Sequence, residues 1–152
     1  MKGALVIVVL AACGGDDTGG GAGDTAAHDF CLSETNRYRT SNGKPALVRS
    51  AELEAYANEG ARVDFSSSPH NHFTSTNGGG IAFAENECPQ QLGWKLPVDG
   101  EIKPVVGMCI NAFVSEGPGG GHYENVMGPY TKLGCGIYVS GEGITILQDF
   151  GN

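Results

Sequence analysis

Four cysteines spread along the chain, Cys31, Cys88, Cys109 and Cys135, constrain the fold more than any other feature, because each pair that closes holds two distant segments side by side. Whether they close depends on the compartment, and the N-terminus bears on that. Met1-Lys2-Gly3 leads into an apolar run from Ala4 to Leu10 and then Ala11-Ala12-Cys13, the positive start, short apolar core and small-residue cut of a secretory signal over residues 1–12. The run is too short to span a bilayer. Leu10-Ala11-Ala12-Cys13 also has the form of a bacterial lipobox, in which Cys13 is acylated and becomes the first mature residue. That leaves an even number of cysteines in an exported chain, and two disulfides are expected.

Three connectivities are possible. Pairing Cys88 with Cys109 closes a long loop before a helix, and pairing Cys31 with Cys135 ties the first helix to the C-terminal strands; this arrangement is the one expected. A thiolate zinc site is disfavoured, since no C-x-x-C pair is present. Residues 13–27 are the lipidated cysteine and a tether of glycine, aspartate, threonine and alanine, too poor in large apolar side chains to offset the cost of ordering. From His28 to Asn152 the composition becomes globular, enough for one core. The net charge of −8 and the lack of a lysine or arginine cluster exclude nucleic acid as the natural partner.

Helical spacing marks a first helix from about Asp29 to Ser41, ended by Asn42-Gly43, and a second begun by Ser50, with Leu53, Tyr56, Ala57, Gly60 and Ala61 recurring at helical spacing. Ser66 to Pro69 breaks it and opens a loop carrying His70 and His72. A short strand is expected at Ile81–Ala84, a third helix at Val105–Phe113 ending by Gly117-Pro118, and a closing hairpin from Cys135 to Val139 and Ile144 to Phe150. Two helices before any strand, with strands last, give an α+β pattern.

Gly119-Gly120-Gly121-His122-Tyr123 places a metal-capable histidine in a run whose glycines let the backbone pass close to another group. Asn36-Arg37-Tyr38-Arg39, Leu47, the Leu53/Ala57 helix, a histidine after it, Ala84-Glu85-Asn86, Phe113-Val114-Ser115-Glu116, Gly121-His122-Tyr123 and Leu133-Gly134-Cys135-Gly136 follow in the order seen in the CAP superfamily. The chain resembles that group, the cysteine-rich secretory, antigen 5 and pathogenesis-related proteins with an SCP domain, from Phe30 to Phe150. The resemblance implies an α-β-α sandwich with a small antiparallel sheet between helices and a cleft holding two histidines and two glutamates. Carried over, these are His72, Glu85, Glu116 and His122, with His70 the alternative to His72. The sequence departs from the family's pattern at Ala84 for glycine, Phe113 for tryptophan and Asn125 for glutamine, and lacks a tryptophan near Gly128.

Two imidazoles converging on one point can bind Zn²⁺ or another divalent cation, and nearby carboxylates can orient them or serve as bases. The expectation is therefore a lipid-anchored binding module of the cell envelope, at the outer membrane given Gly14 after Cys13, whose cleft holds a divalent ion or a small, even hydrophobic, ligand or envelope component. The competing class is a metal-dependent hydrolase of peptide or cell-wall material, with Glu85 or Glu116 as base and His72 and His122 as ligands. Serine hydrolysis finds no G-x-S-x-G elbow. Trp94, in the loop from Pro89 to Pro104, either covers an apolar ligand or packs the loop onto the domain.

Overall fold

The computed structural model describes residues 22–152. The signal segment, Cys13 and the first part of the tether lie outside those residues. Helix α1 (Ala22–Ser41) begins before the expected Asp29, and Ala27 and His28 are buried, so the domain starts within the stretch that reads as tether. Alanine is the best helix former, and extending an existing helix adds one hydrogen bond per residue fixed; the alanines at 22, 26 and 27 are thus drawn into α1.

The motif on α1 is structural. Asn36 clamps Leu47, donating to its carbonyl at 2.9 Å and accepting its N–H at 2.7 Å. Arg39 is 1 % exposed and pairs with no carboxylate among the described residues; its guanidinium donates to the carbonyls of Pro45 (2.9 Å), Val126 (2.6 Å) and Gly128 (2.9 Å). A buried charge is tolerated only when its donors are satisfied. Here they satisfy carbonyls at the end of α5 (Gly121–Met127), so α1 fixes the helix that carries His122.

Strand β1 (Val48–Arg49) is followed by α2 (Ala51–Asp64), α3 (Asn71–Thr76), β2 (Ala84–Cys88), α4 (Ile102–Ser115), α5, β3 (Lys132–Ser140) and β4 (Gly143–Gly151). Ser50 caps α2 as expected, its hydroxyl accepting from Leu53 N–H. The sheet runs β1-β3-β4-β2. It is mixed, because the two-residue β1 joins β3 in parallel while the other pairings are antiparallel. Strand β2 starts where the expected Ile81–Ala84 strand ends: Asn77 and the following Gly78 and Gly79 have left-handed backbones and wind residues 77–80 into a tight turn. Two acidic residues, Glu85 and Glu87, then alternate along a strand buried at every position.

Side-chain alternation on β4 splits the interior in two. Ile144, Ile146 and Phe150 join the main core with Val105, Val106, Cys109, Ile110 and Phe113 of α4; Leu147 packs with Ala57 and Ala61 of α2. Helices α1, α4 and α5 therefore cover one face and α2 with α3 the other, the expected α-β-α sandwich. Gly134 and Gly136 explain how α2 lies so close. A Cβ at Gly134 would sit 2.2 Å from the Leu53 carbonyl carbon, and one at Gly136 2.1 Å from Ala57 O. Between them Cys135 points to the opposite face and bonds Cys31 of α1, with Cα atoms 6.5 Å apart. The second disulfide joins Cys88 at the end of β2 to Cys109 of α4.

Of the two readings of Trp94 the structure takes the packing one. Its ring lies half-buried against the core, and the loop is strung onto the hairpin turn by Ile144 N–H to Trp94 O and Leu96 N–H to Glu142 O. Gly136→Ala is expected to lower the unfolding free energy by about 2–4 kcal/mol, since backbone atoms of α2 cannot move aside as a side chain would. Gly121→Ala, where a Cβ meets nothing within 4 Å and the backbone is not left-handed, serves as comparison; urea denaturation in which Gly136→Ala costs no more than Gly121→Ala would contradict the close approach.

Candidate functional site

The site wraps around the edge strand β2. From the α4–α5 side comes His122, one residue into α5, and Glu116, the residue that ends α4. Between them the chain reverses through Gly117 and Gly119, both with positive φ. Gly120 has a different reason to be glycine: its Cβ would lie 2.4 Å from Glu116 Cβ and 2.8 Å from Oε2. The open space lets Glu116 fold across the start of α5. There Oε2 accepts the His122 backbone N–H at 3.0 Å, and Oε1 accepts Nδ1–H of its ring at 2.5 Å. The imidazole beside it holds the Glu116 carboxyl below the ordinary carboxylate range. Phe113, one helical turn before Glu116, backs the ring with centroids 4.9 Å apart.

From the α2–α3 side comes His70. It precedes α3 in a left-handed conformation, φ 59° and ψ 14°, which a non-glycine residue adopts at a cost of about 1–3 kcal/mol unless its surroundings hold it there. Two carboxylates do so. Glu87 Oε2 accepts the His70 backbone N–H at 2.5 Å, and Glu85 Oε1 accepts Nδ1–H of the ring at 2.8 Å. Each histidine is thus fixed twice by carboxylate, once through its backbone and once through Nδ1. An ionised carboxylate can only accept, so in the neutral imidazole the proton sits on Nδ1 and Nε2 keeps the lone pair. The two rings face one another at 6.5 Å and 26°.

His70, not His72, therefore takes the cleft position. The reason is local: the expected loop is the short helix α3, and two residues along a helix turn a side chain through more than half a circle. His72 is turned onto α2 instead, with its ring 4.5 Å from that of Tyr56 and its Nδ1 where a side chain on Gly60 would reach. Its backbone N–H is held by Asp64 Oδ1 at 2.8 Å. Glu85, Glu116 and His122 are brought together with His70 as the motif reading requires.

A buried amide network keeps the two halves in register. Asn86 Nδ2 donates to His122 O and to Gln148 Oε1, both at 3.1 Å. Asn125 Nδ2 donates to Glu85 O at 3.1 Å and Asn86 Oδ1 at 2.9 Å. Gln148 passes the chain on to Thr35 of α1 at 2.7 Å. The substitution of asparagine for glutamine at 125 is accommodated by this direct Asn125–Asn86 contact. Satisfied networks of this kind rigidify a site.

With this geometry in place, the comparison with known families is informative. The sequence profile of CAP, the cysteine-rich secretory protein family, matches residues 32–150. The chain belongs to this family. No curated protein matches it. The CAP motif residues account for the four groups that face the cleft but not for what lies beneath them. His70, Glu85 and Glu87 offer ligand atoms that all lie within 4.8 Å of one another, a group able to hold a metal ion. Glu87, Asp149 and Asp64 are absent from the motif reading. The signal that could have exposed Glu87 was an acidic residue two positions after Glu85, on the same face of a strand.

Burial pushes the Glu87 carboxyl up to about 7 against the hydrogen bond from His70 N–H, and burial together with the neighbouring Glu85 carboxylate pushes Asp149 up to about 9. Burial also raises Glu85, whose hydrogen bond raises His70 in turn. Such groups hold protons in the folded chain that the unfolded chain has already released, so their contribution to stability is complete below the ordinary carboxylate range and is lost as pH rises. In chelator, the unfolding free energy is expected to fall by a few kcal/mol between about pH 5 and pH 9, and Asp149→Asn is expected to flatten that fall. Stability that stays level or rises over this range in the parent chain would contradict the buried acidic group.

Proposed function

We propose that this CAP domain is an extracytoplasmic binding module whose cleft holds a divalent metal ion between His70 and His122. One observation carries the reading: both Nδ1 atoms are engaged by carboxylates, so both Nε2 atoms are the ones left to the cleft. Metal-binding histidines are oriented in this way, with the second ring nitrogen donating to a carboxylate that fixes the tautomer and raises ligand basicity. The ring centroids lie 6.5 Å apart, close to the widest separation at which one ion can bond both Nε2 atoms at about 2 Å, so binding draws the two rings together. Zn²⁺ is the natural candidate for a pair of imidazoles with water in the open positions.

Binding fits better than hydrolysis. Glu116 has both oxygens hydrogen-bonded to His122, and Glu85 has one on His70 with the other buried, so both candidate bases are already engaged in holding the histidines. A small apolar ligand is better placed in a separate cavity of about 540 Å³ lined by Pro45, Ala46, Val48, Met127 and Tyr130, a volume within the usual range for ligand sites, than under Trp94. The two disulfides favour an oxidising compartment, and the Leu10-Ala11-Ala12-Cys13 sequence supports a lipid anchor at the outer membrane.

Metal analysis after Zn²⁺ loading and desalting tests the cleft. The parent chain and His72→Ala are expected to retain about one equivalent; His70→Ala and His122→Ala should lose it, and Glu116→Gln should bind about 10–100-fold more weakly. Full metal content in both His70→Ala and His122→Ala would defeat the reading. The anchor is tested separately by mass spectrometry of the mature N-terminus, which should begin at an acylated Cys13; an unmodified terminus elsewhere would mean simple export.

A further inference from the structure

One charge in the Asn36-Arg37-Tyr38-Arg39 motif has no counter-charge. Among the described residues Arg37, Arg49 and Arg62 each pair with a carboxylate, whereas Arg39, the buried arginine, meets only carbonyls. Carbonyl dipoles satisfy N–H donors but bring no net charge, and a buried cation is normally matched by an anion. Burial alone acts on the Arg39 guanidinium and holds it below the ordinary arginine range. Its donors are also unevenly held. Nε and Nη1 have carbonyls at 2.6 to 2.9 Å, but Nη2 reaches only Tyr130 O, at 3.4 Å, which leaves its second N–H without a partner among the described residues.

Arg39 belongs to the wall of the 540 Å³ cavity. Most of that wall is apolar, from Pro45, Ala46, Val48, Met127 and Pro129. Val48 is 67 % exposed, and the Tyr130 ring is backed by Phe150 with centroids 5.4 Å apart. Lys44 lines the same cavity, exposed and without an ion pair to any described residue. The chain carries 17 acidic residues and a net charge of −8, yet none of those acids lines this cavity. Two cations on apolar walls make a local positive field in an anionic protein, and low-dielectric walls concentrate it.

We propose that this cavity binds a small organic monocarboxylate, its apolar body against Val48, Met127 and Tyr130 and its carboxylate on Lys44, within the field of the Arg39 guanidinium. The inference rests on the reading above that a small apolar ligand lies here, and adds that ligand's charge. One unpaired lysine and one loosely held Nη2 suit a single negative charge. A phosphate dianion would leave oxygens against proline and valine with no donor to meet them. The bound carboxylate supplies the counter-charge that Arg39 lacks at the end of α5.

Calorimetric titration of the full chain tests this, after chelator and desalting so that no cleft ion competes for the carboxylate. The probes are octanoate and 4-phenylbutyrate, a chain and a ring, each beside its uncharged primary amide. At least one carboxylate should bind at one equivalent, and its amide about tenfold more weakly; whichever body binds tighter reports the shape of the natural ligand. Lys44→Ala should weaken the carboxylate about fivefold and leave the amide unchanged, while Val48→Asp should abolish binding of both. Lys44 and Val48 are exposed, so neither change disturbs the core, and circular dichroism checks that each variant is folded. Carboxylate and amide binding equally well, with Lys44→Ala altering neither, overturns the carboxylate and leaves the apolar cavity standing. Binding that Val48→Asp leaves intact places the ligand elsewhere and overturns the site. If no probe binds, the cavity reading and the inference fall together.

Discussion

The tripeptide Gly134-Cys135-Gly136 is the constraint on which the rest of the structure depends. Successive residues of a strand point to opposite faces, so this short piece of β3 presents bare backbone to α2 on one side and a disulfide to α1 on the other. The glycines draw α2 into contact with the sheet. That approach sets the height of its C-terminal residue Asp64, and with it the segment that carries His70. The disulfide holds α1 against the other face, and Arg39 of α1 in turn satisfies the end of α5. Both histidines thus take their positions from helices laid against the same strand.

The site itself follows one rule applied twice. A histidine at the start of a short helix is held through its backbone N–H and its Nδ1 by carboxylate oxygens, leaving the far side of the ring to the cleft. Glu116 meets both requirements for His122, and a glycine at 120 makes room for it. For His70 the work is divided between Glu85 and Glu87, because these alternate residues of a β-strand are spaced wider than one carboxylate can span. Using two glutamates buries a second carboxyl group under the sheet's edge, next to Asp64 and Asp149. The excess of buried acid is thus a by-product of how His70 is held, and it gathers carboxyl groups on the inner face of β2.

Much of this was legible in the sequence where a periodic pattern or an ordered motif carried it. The first two helices, the closing hairpin and the sandwich followed from spacing and motif order, and Glu85, Glu116 and His122 from their motifs. What misled was local backbone. A left-handed residue at 70 followed by a six-residue helix has no periodic signature, so the choice between His70 and His72 rested on counting along a loop that is not a loop. Helix α5 was hidden by its glycine-rich approach, and β2 by two glutamates that look solvent-exposed until Glu85 is seen to face Asp149. The shared cause is that acidic residues on one face of a buried edge strand oppose every hydrophobic rule, and only their pairing across the sheet makes them intelligible.

The most direct measurement is crystallographic: anomalous scattering at the zinc edge from crystals of the Zn²⁺-loaded domain. The account predicts a peak within bonding distance of Nε2 of both His70 and His122, with Nδ1 of each ring still on its glutamate. A peak on His72, or none between the two rings at full Zn²⁺ loading, would contradict it.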